Sequence, residues 1–321
     1  MLHLAVERAQ VENPAKINWQ GMEKPSSKSH LILGLGELLW DILPDGPRLG
    51  GAPANFAVMA GRLGNHAAVL SRVGWDDLGK RALDRLESLP VDASLVQVDS
   101  RYETGRVTVL LEQGQPQYTI HRPAAWDSLE LTEEWVRIAS RADAVCFGSL
   151  AQRCLESRQT IQALVAQTSP NCVRVFDVNL RKPFYTSEIV EESLELATVV
   201  KMNDTELPLV LELLGLPIDG DSQTGENLRL GAKRLLEEFA ALKLIAVTRG
   251  GQGSLLATRR GLIEHPGIPT RVVDTIGAGD AFTAALTHYL LLGADLATLS
   301  EAGNRSGSWV ASQTGSMPEL P

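Results

Sequence analysis

The sequence predicts an α/β protein: a mostly parallel central sheet flanked by helices in three layers, with a small separate β-sheet beside it. Three observations predict it. Between Leu131 and Thr248, short apolar runs of strand length alternate with amphipathic segments of helix length, which is the grammar of βαβ units covered on both faces. Two glycine turns, Gly50-Gly51 and Gly277-Ala278-Gly279, each lead into a helix. A half-polar hairpin pattern near residues 104–121 does not belong in a parallel sheet. With 321 residues the chain has ample length to bury a core.

In chain order, Met1 to His30 mixes charges, amides, Pro14, Pro25 and a Ser/Lys cluster, and is expected to be a disordered extension (1–30) ahead of a folded domain (31–321). A short docked arm is the alternative, because Leu2, Leu4 and Val6 alternate with other residues. Leu31 to Gly36 reads as a buried first strand. Its Gly34-Leu35-Gly36 invites a dinucleotide-binding reading, which fails because Leu39 stands where the third glycine belongs and Trp40 to Pro47 continues as strand and turn. Pro53 suits a first helical turn, and Phe56, Met59 and Leu63 keep helical spacing to about Gly64. Ala67–Val73 reads as a strand and Asp76–Leu89 as a helix. Thr104–Leu111, the Gln113-Gly114-Gln115-Pro116 turn and Gln117–His121 form the hairpin. With the Trp40 segment it makes the small sheet, at about 38–48 and 102–122.

The alternation then runs through a helix to Arg141, strand Ala144–Phe147, helix Arg153–Ala166, strand Val173–Val178 and helix Glu188–Leu196. Strand Val199–Met202, helices from Asp204 and over Gly225–Phe239, and strand Leu244–Thr248 complete it. Thr270 to Ile276 reads as a strand entering the second glycine turn, and Ala281–Leu292 as the helix after it.

Composition excludes several classes. Asp and Glu (39) exceed Lys and Arg (30), no basic block stands out and aromatics are 5%, which argues against nucleic acid or an anionic membrane as partner. No segment has the length and apolarity to span a bilayer. Cys146, Cys154 and Cys172 are odd in number and lack metal-ligand spacing, which suits free thiols in a reducing cytoplasm.

The chemistry gathers at Gly277-Ala278-Gly279-Asp280. Glycines let bare N–H groups approach a ligand, and a helix N-terminus favours anions, so this is a seat for phosphate. Asp280 beside it suits a base that takes the proton of an attacking hydroxyl. Capping of the helix is the simpler reading of a lone Gly-Asp before an apolar run.

The second glycine element, Leu49-Gly50-Gly51-Ala52-Pro53-Ala54-Asn55 through Gly64, changes that balance. Together the two resemble the paired signatures of the PfkB carbohydrate kinases, the ribokinase-like family, over about Leu31 to Pro318. The resemblance implies the ribokinase-like three-layer fold with the small sheet as a lid, which members often use as a dimer interface. It also implies transfer of the ATP γ-phosphate to a sugar hydroxyl, with Asp280 as base, the Gly277, Ala278 and Gly279 amides as anion hole, and magnesium.

Three further stretches follow apolar runs, at strand ends where open α/β sheets bind ligands. In Asp177-Val178-Asn179-Leu180-Arg181, Arg181 is the best anion partner, and a solvated loop is the alternative. Lys201-Met202-Asn203-Asp204-Thr205-Glu206 resembles the family's Asn-x-x-Glu motif, implying that Glu206 organises magnesium through water; locally, acids in a first helical turn explain it as well. Thr248-Arg249-Gly250-Gly251-Gln252-Gly253 resembles the family's nucleotide loop at Thr248, Gly250 and Gly253, or is a hairpin turn. No Walker-type run is present.

The resemblance also places Asn179, Lys201, Asn203, Asn304 and Ser308 on the ATP side. Asp274, Ile276, Val310, Gln313 and Gly315 match positions giving oxygens to a monovalent cation, K+ being the candidate. Asp41, Gly51 and Asn55 map onto sugar contacts, and their side chains suit a polyol. Gly36-Glu37-Leu38-Leu39-Trp40-Asp41 and Arg122-Pro123-Ala124-Ala125-Trp126-Asp127 resemble the fructokinase-like branch. Fructose is therefore the expected acceptor, with 2-keto-3-deoxygluconate or a nucleoside as alternatives. A sugar sensor without turnover is the alternative from another class.

Overall fold

The computed structural model describes residues 29–112, 115–218 and 225–321. The expected disordered extension at 1–30 lies, up to residue 28, outside the described residues, as do Gln113 and Gly114 of the hairpin turn.

Leu31–Leu35 forms β1. Its alternating side chains divide the core, with Ile32 packing in one hydrophobic cluster and Leu33 and Leu35 in the other. β2 (Leu39–Leu43) and β3 (Gly46–Gly50) follow, then α1 (Ala52–Arg62), started by Pro53 in its first turn. The strand expected over Ala67–Val73 is in fact two. β4 (His66–Leu70) joins the main sheet, and after Ser71 the chain leaves it as β5 (Arg72–Gly74), which pairs with β6 (Gln97–Asp99) beyond α2 (Asp77–Glu87). The polar pair Ser71-Arg72 interrupts the apolar run at the change of sheet. β7 (Gly105–Glu112) and β8 (Gln115–Ile120) complete the hairpin.

Next come α3 (Glu133–Ala139), β9 (Ala144–Gly148), α4 (Leu155–Ala166), β10 (Val173–Asp177) and α5 (Ser187–Leu196). β11 (Val199–Asn203), α6 (Glu206–Leu213), α7 (Gly225–Glu238) and β12 (Leu244–Thr248) follow them. The Gly250–Gly253 stretch is a hairpin turn, joining β12 to antiparallel β13 (Ser254–Thr258), which pairs with β14 (Gly261–His265). α8 (Ala278–Leu291) and α9 (Leu296–Ala311) close the order.

The main sheet runs β14-β13-β12-β11-β10-β9-β1-β4, parallel from β12 to β4. One face carries Phe56 and Met59 of α1 and Phe282 and Leu286 of α8; the other carries Trp135, Ile161, Val190 and Leu235 from α3, α4, α5 and α7. This is the expected three-layer arrangement, a mostly parallel sheet covered by helices on both faces. The small sheet runs β3-β2-β7-β8, with β2 and β7 parallel and both outer pairs antiparallel.

Thr270–Ile276 forms no strand. Val272 and Val273 are 61% and 56% exposed, so burial does not hold them in a ladder, and the Val273 N–H goes instead to Ala311 O at the end of α9 (2.8 Å). α8 also begins three residues earlier than Ala281. Asp280 therefore lies inside the first turn.

Candidate active site

The parallel strands end on one side of the sheet, where Glu37, Asp177, Asn203 and Thr248 follow or finish β1, β10, β11 and β12. α8 brings its N-terminus to the same side. Gly277 is the N-cap, in the left-handed region (φ 80°), where a side chain would also collide with Ser316. The simpler reading of Asp280 as the cap is thereby removed: its Oδ2 accepts from Asn55 Nδ2 at 2.7 Å. Asn55, one turn into α1, is buried. Of the three amides expected to form the anion hole, that of Ala278 makes a long turn bond to Thr275 O (3.3 Å). The N–H groups of a first helical turn have no partners within the helix, so this end suits an anion.

Lys201 adds a cation there. Its Nζ lies 2.9 Å from where a Cβ on Gly279 would sit, so glycine leaves the space that the ammonium fills. Nζ donates to Asp177 Oδ1 (3.1 Å), while Thr283 Oγ1 of α8 donates to Asp177 Oδ2 (3.1 Å). Burial works against the Lys201 charge, yet Asp177, Glu206 and Asp280 outweigh it and hold its pKa above the usual lysine value. Asp280, partly open to the cleft, is pushed up to about 6, first by desolvation and then by Asp177, with Lys201, Asn55 and Arg181 opposing. Such a carboxylate is ionised near neutrality and basic enough to take a proton.

Glu37 was missed as a site residue, although an acid directly after a buried strand was a signal. It is 2% exposed, its Oε1 accepts from Ala52 N at the head of α1 (3.3 Å), and Oε2 has no partner. Desolvation raises it to about 7, helped by Asp280 and opposed by its own backbone and Arg181. Gly51, the N-cap of α1, has φ 111° and would clash with Glu37 O if it carried a Cβ.

On the acceptor side, Asp41 of β2 is raised to about 6 by burial, against the pull of Arg181. Arg181 is exposed, and its charge acts on Glu37, Asp41 and Asp280 alike, which brings it into the cleft. The small sheet is tied to the body by Trp40 Nε1 to Leu78 O (2.9 Å) and by Arg48 to Asp274 (3.0 Å).

The remaining expected residues differ in what they do. Asn179 adopts a positive φ of 38°, uncommon for a residue with a side chain, at the lip of the cleft. Asn203 Oδ1 accepts from Thr205 N and Glu206 N, capping α6. Glu206 Oε1 and Oε2 accept from Leu180 N and Asn203 N (2.8 Å each), so the buried carboxylate fastens two strand ends and fits magnesium only through water. Asn304 spends its amide hydrogens on Ser254 Oγ and Ser300 O, and Ser308 lies one turn further along α9. Thr248 ends β12, with its hydroxyl to Met202 O (3.4 Å). Gly250 is exposed, and Gly253 sits where a Cβ would strike His265 O.

The monovalent-cation group is only partly assembled. Ile276 and Gly315 converge on Asp274, but with amide N–H groups (3.0 and 3.1 Å), and Val310 O already accepts from Gln313 N. Arg48 already supplies a positive charge to Asp274. No step is assigned to a cation. Among the described residues, no group of three or more His, Cys, Asp or Glu is placed to hold a metal, and no helix is long and apolar enough to cross a membrane.

Comparison with known proteins bears on the family and the fold. The model of the pfkB family carbohydrate kinases matches residues 47–321. A fructokinase of Salmonella typhimurium is 31% identical over 265 residues, 78% of this chain and 81% of that one. The uncharacterized sugar kinase PH1459 of Pyrococcus horikoshii, solved in complex with ATP, superposes with a TM-score of 0.75 at 29% identity, covering 89% of this chain and 94% of its own. Fructokinase from Vibrio cholerae, solved with fructose, ADP and calcium, gives 0.74 at 26% identity, covering 91% and 96%.

Proposed function

The chain belongs to the pfkB family of carbohydrate kinases and is a sugar kinase, and from that premise we propose that it phosphorylates a neutral ketohexose, fructose first, with ATP as donor. The observation that carries this reading is the Asp280 carboxylate at the head of α8, fixed by Asn55 beside the Lys201 ammonium.

Asp280 accepts the proton of the sugar hydroxyl, and the oxygen bonds to the γ-phosphorus. The bond from that phosphorus to the bridging oxygen breaks, and its electron pair leaves with ADP. The Gly277 and Gly279 amides, joined by Ala278 once its turn bond yields, and Lys201 face the charge spread over the transferred group. Glu206 would hold magnesium through water, and magnesium when bound neutralises phosphate charge. Asn179, Asn203, Thr248, Gly250, Gly253, Asn304 and Ser308 border the nucleotide. Asp41, Gly51 and Asn55 form the acceptor edge, which the small sheet covers as a lid, excluding water. The lid is also the surface through which two copies would pair, and sedimentation showing a monomer at every concentration would remove that part. The reaction belongs to the cytoplasm, which the free thiols suit.

A second reading has its own support. The exposed Arg181 guanidinium, acting on Glu37, Asp41 and Asp280, offers a fork to a sugar acid such as 2-keto-3-deoxygluconate. ADP release measured over fructose, glucose, ribose, 2-keto-3-deoxygluconate and adenosine decides between them. Fructose is expected to give the highest kcat/KM. A tenfold advantage for the sugar acid, about 1.4 kcal/mol of differential transition-state binding, would overturn fructose and leave the kinase standing. No ADP release with any acceptor of the panel would favour a sensor without turnover.

A further inference from the structure

Beyond α9 the chain returns to the catalytic carboxylate. Gly315 N donates to Asp274 Oδ2 (3.1 Å) and Met317 O accepts from Arg62 Nη2 (3.1 Å), so the residue between them is held from both sides. That residue, Ser316, is 6% exposed and lies against the N-cap of α8. Its hydroxyl donates to Asn55 Oδ1 at 2.8 Å, and Asn55 Nδ2 donates to Asp280 Oδ2 at 2.7 Å.

The two bonds have one direction. An ionised carboxylate only accepts, so it takes the amide N–H, and the amide then turns its oxygen to Ser316. A buried amide oxygen without a donor is costly. Without the hydroxyl, the amide would be free to turn over and set its oxygen against the Asp280 carboxylate.

We propose that Ser316 is a positioning residue for this kinase, acting through Asn55 to keep an N–H donor on Asp280 and so keep the base ionised and aimed. The proposal rests on the reading of Asp280 as the base. The other groups acting on Asp280 are Asp177 from β10, Lys201 from β11, Arg181 from the loop after β10, Glu37 after β1 and Cys146 from β9. All remain in a Ser316→Ala variant, which therefore isolates the relay.

In Ser316→Ala the acid limb of kcat/KM should move to higher pH by about half a unit or more, since a lost bond to a charged group's partner acts on its pKa. Turnover should fall several-fold at acid pH and approach the parent at alkaline pH, with KM for ATP unchanged. Ser316→Thr, which keeps the hydroxyl, should keep the parent limb. Ser316→Cys, a weak donor of similar shape, should give an intermediate shift and serves where the alanine variant folds poorly. In an Asn55→Ala background, removing the hydroxyl should cost nothing more. Carbon-13 NMR titration of the Asp280 carboxyl, assigned by its loss in Asp280→Asn, reads the same shift without turnover. Superimposable titrations in parent and Ser316→Ala, a rate loss equal at all pH, or full additivity with Asn55→Ala would each overturn the relay. A parent enzyme that turns over no acceptor would sink the kinase reading, while the NMR titration would still decide the relay.

Discussion

Asp280 and Asp41 are both carboxylates raised to about 6, yet the body of the molecule holds one and the small sheet carries the other. Asp280 stands on the first turn of a 14-residue helix, with Asn55 on its oxygen and Asp177 and Lys201 beside it. Asp41 rides on a five-residue strand, and the strongest charge acting on it is Arg181, itself exposed. The difference teaches a division of labour. On the proposed reading, the groups that would move a proton and hold a phosphoryl group are fixed by the main sheet and its helices, whereas Asp41, at the acceptor edge, sits on a sheet tied to the body at Trp40 and Arg48.

The sharpest way to break this division is Asp280→Asn. It should lower kcat by about 10²- to 10⁴-fold for every acceptor alike, without lowering the melting temperature, because a crowded negative charge is removed. Rates over the acceptor panel check it, and a loss confined to one sugar would merge the two roles.

Glu37 sits at the joint between the two regions, and its effect should appear in stability. Its folded pKa of about 7 lies above the ordinary glutamate value of 4.5, so the folded state holds an extra proton between those values. The stability this contributes is full below about 4.5 and lost as pH rises through about 7, at most about 3 kcal/mol. Glu37→Gln should lack that decline, so thermal melts from pH 5 to 8 should favour the variant increasingly. Parallel pH dependences would show that the carboxyl is ionised throughout.

Asp41→Ala should lower kcat/KM for the preferred sugar by about tenfold, at least one hydrogen bond to a charged group, and should level the panel. Unchanged ranking would place recognition elsewhere.

The smallest effect is one of slope. With both carboxylates ionised in the active form, kcat/KM should fall as pH drops through about 6, approaching a two-proton dependence, and Asp41→Ala should reduce it to one proton. An equally steep limb in the variant would remove Asp41 from the ionisations that matter.

How far the sequence carried these features follows from how each is encoded. Buried parallel strands write themselves as apolar runs, and glycine turns before helices mark where a backbone must approach a ligand, so the main sheet and the Asp280 turn were legible. Thr270–Ile276 misled because its β-branched residues imitate a strand while facing solvent. The break at Ser71 is marked by the polar pair Ser71-Arg72, which is read through because apolar residues flank it on both sides. Arg48 on Asp274 and Ser316 on Asn55 depend on chain segments 226 and 261 residues apart, which no local pattern records.

That last separation also sets an order in time. The ribosome delivers Asn55 early, Asp280 late and Ser316 later still, so a growing chain holds one half of the catalytic hydrogen-bonded chain with nothing to answer it. Until residue 316 has emerged, the head of α8 lacks its closing neighbour. Copies attached to polysomes and halted before Asp280 has emerged should therefore consume no nucleotide, and the capacity for turnover should follow the emergence of the head of α8.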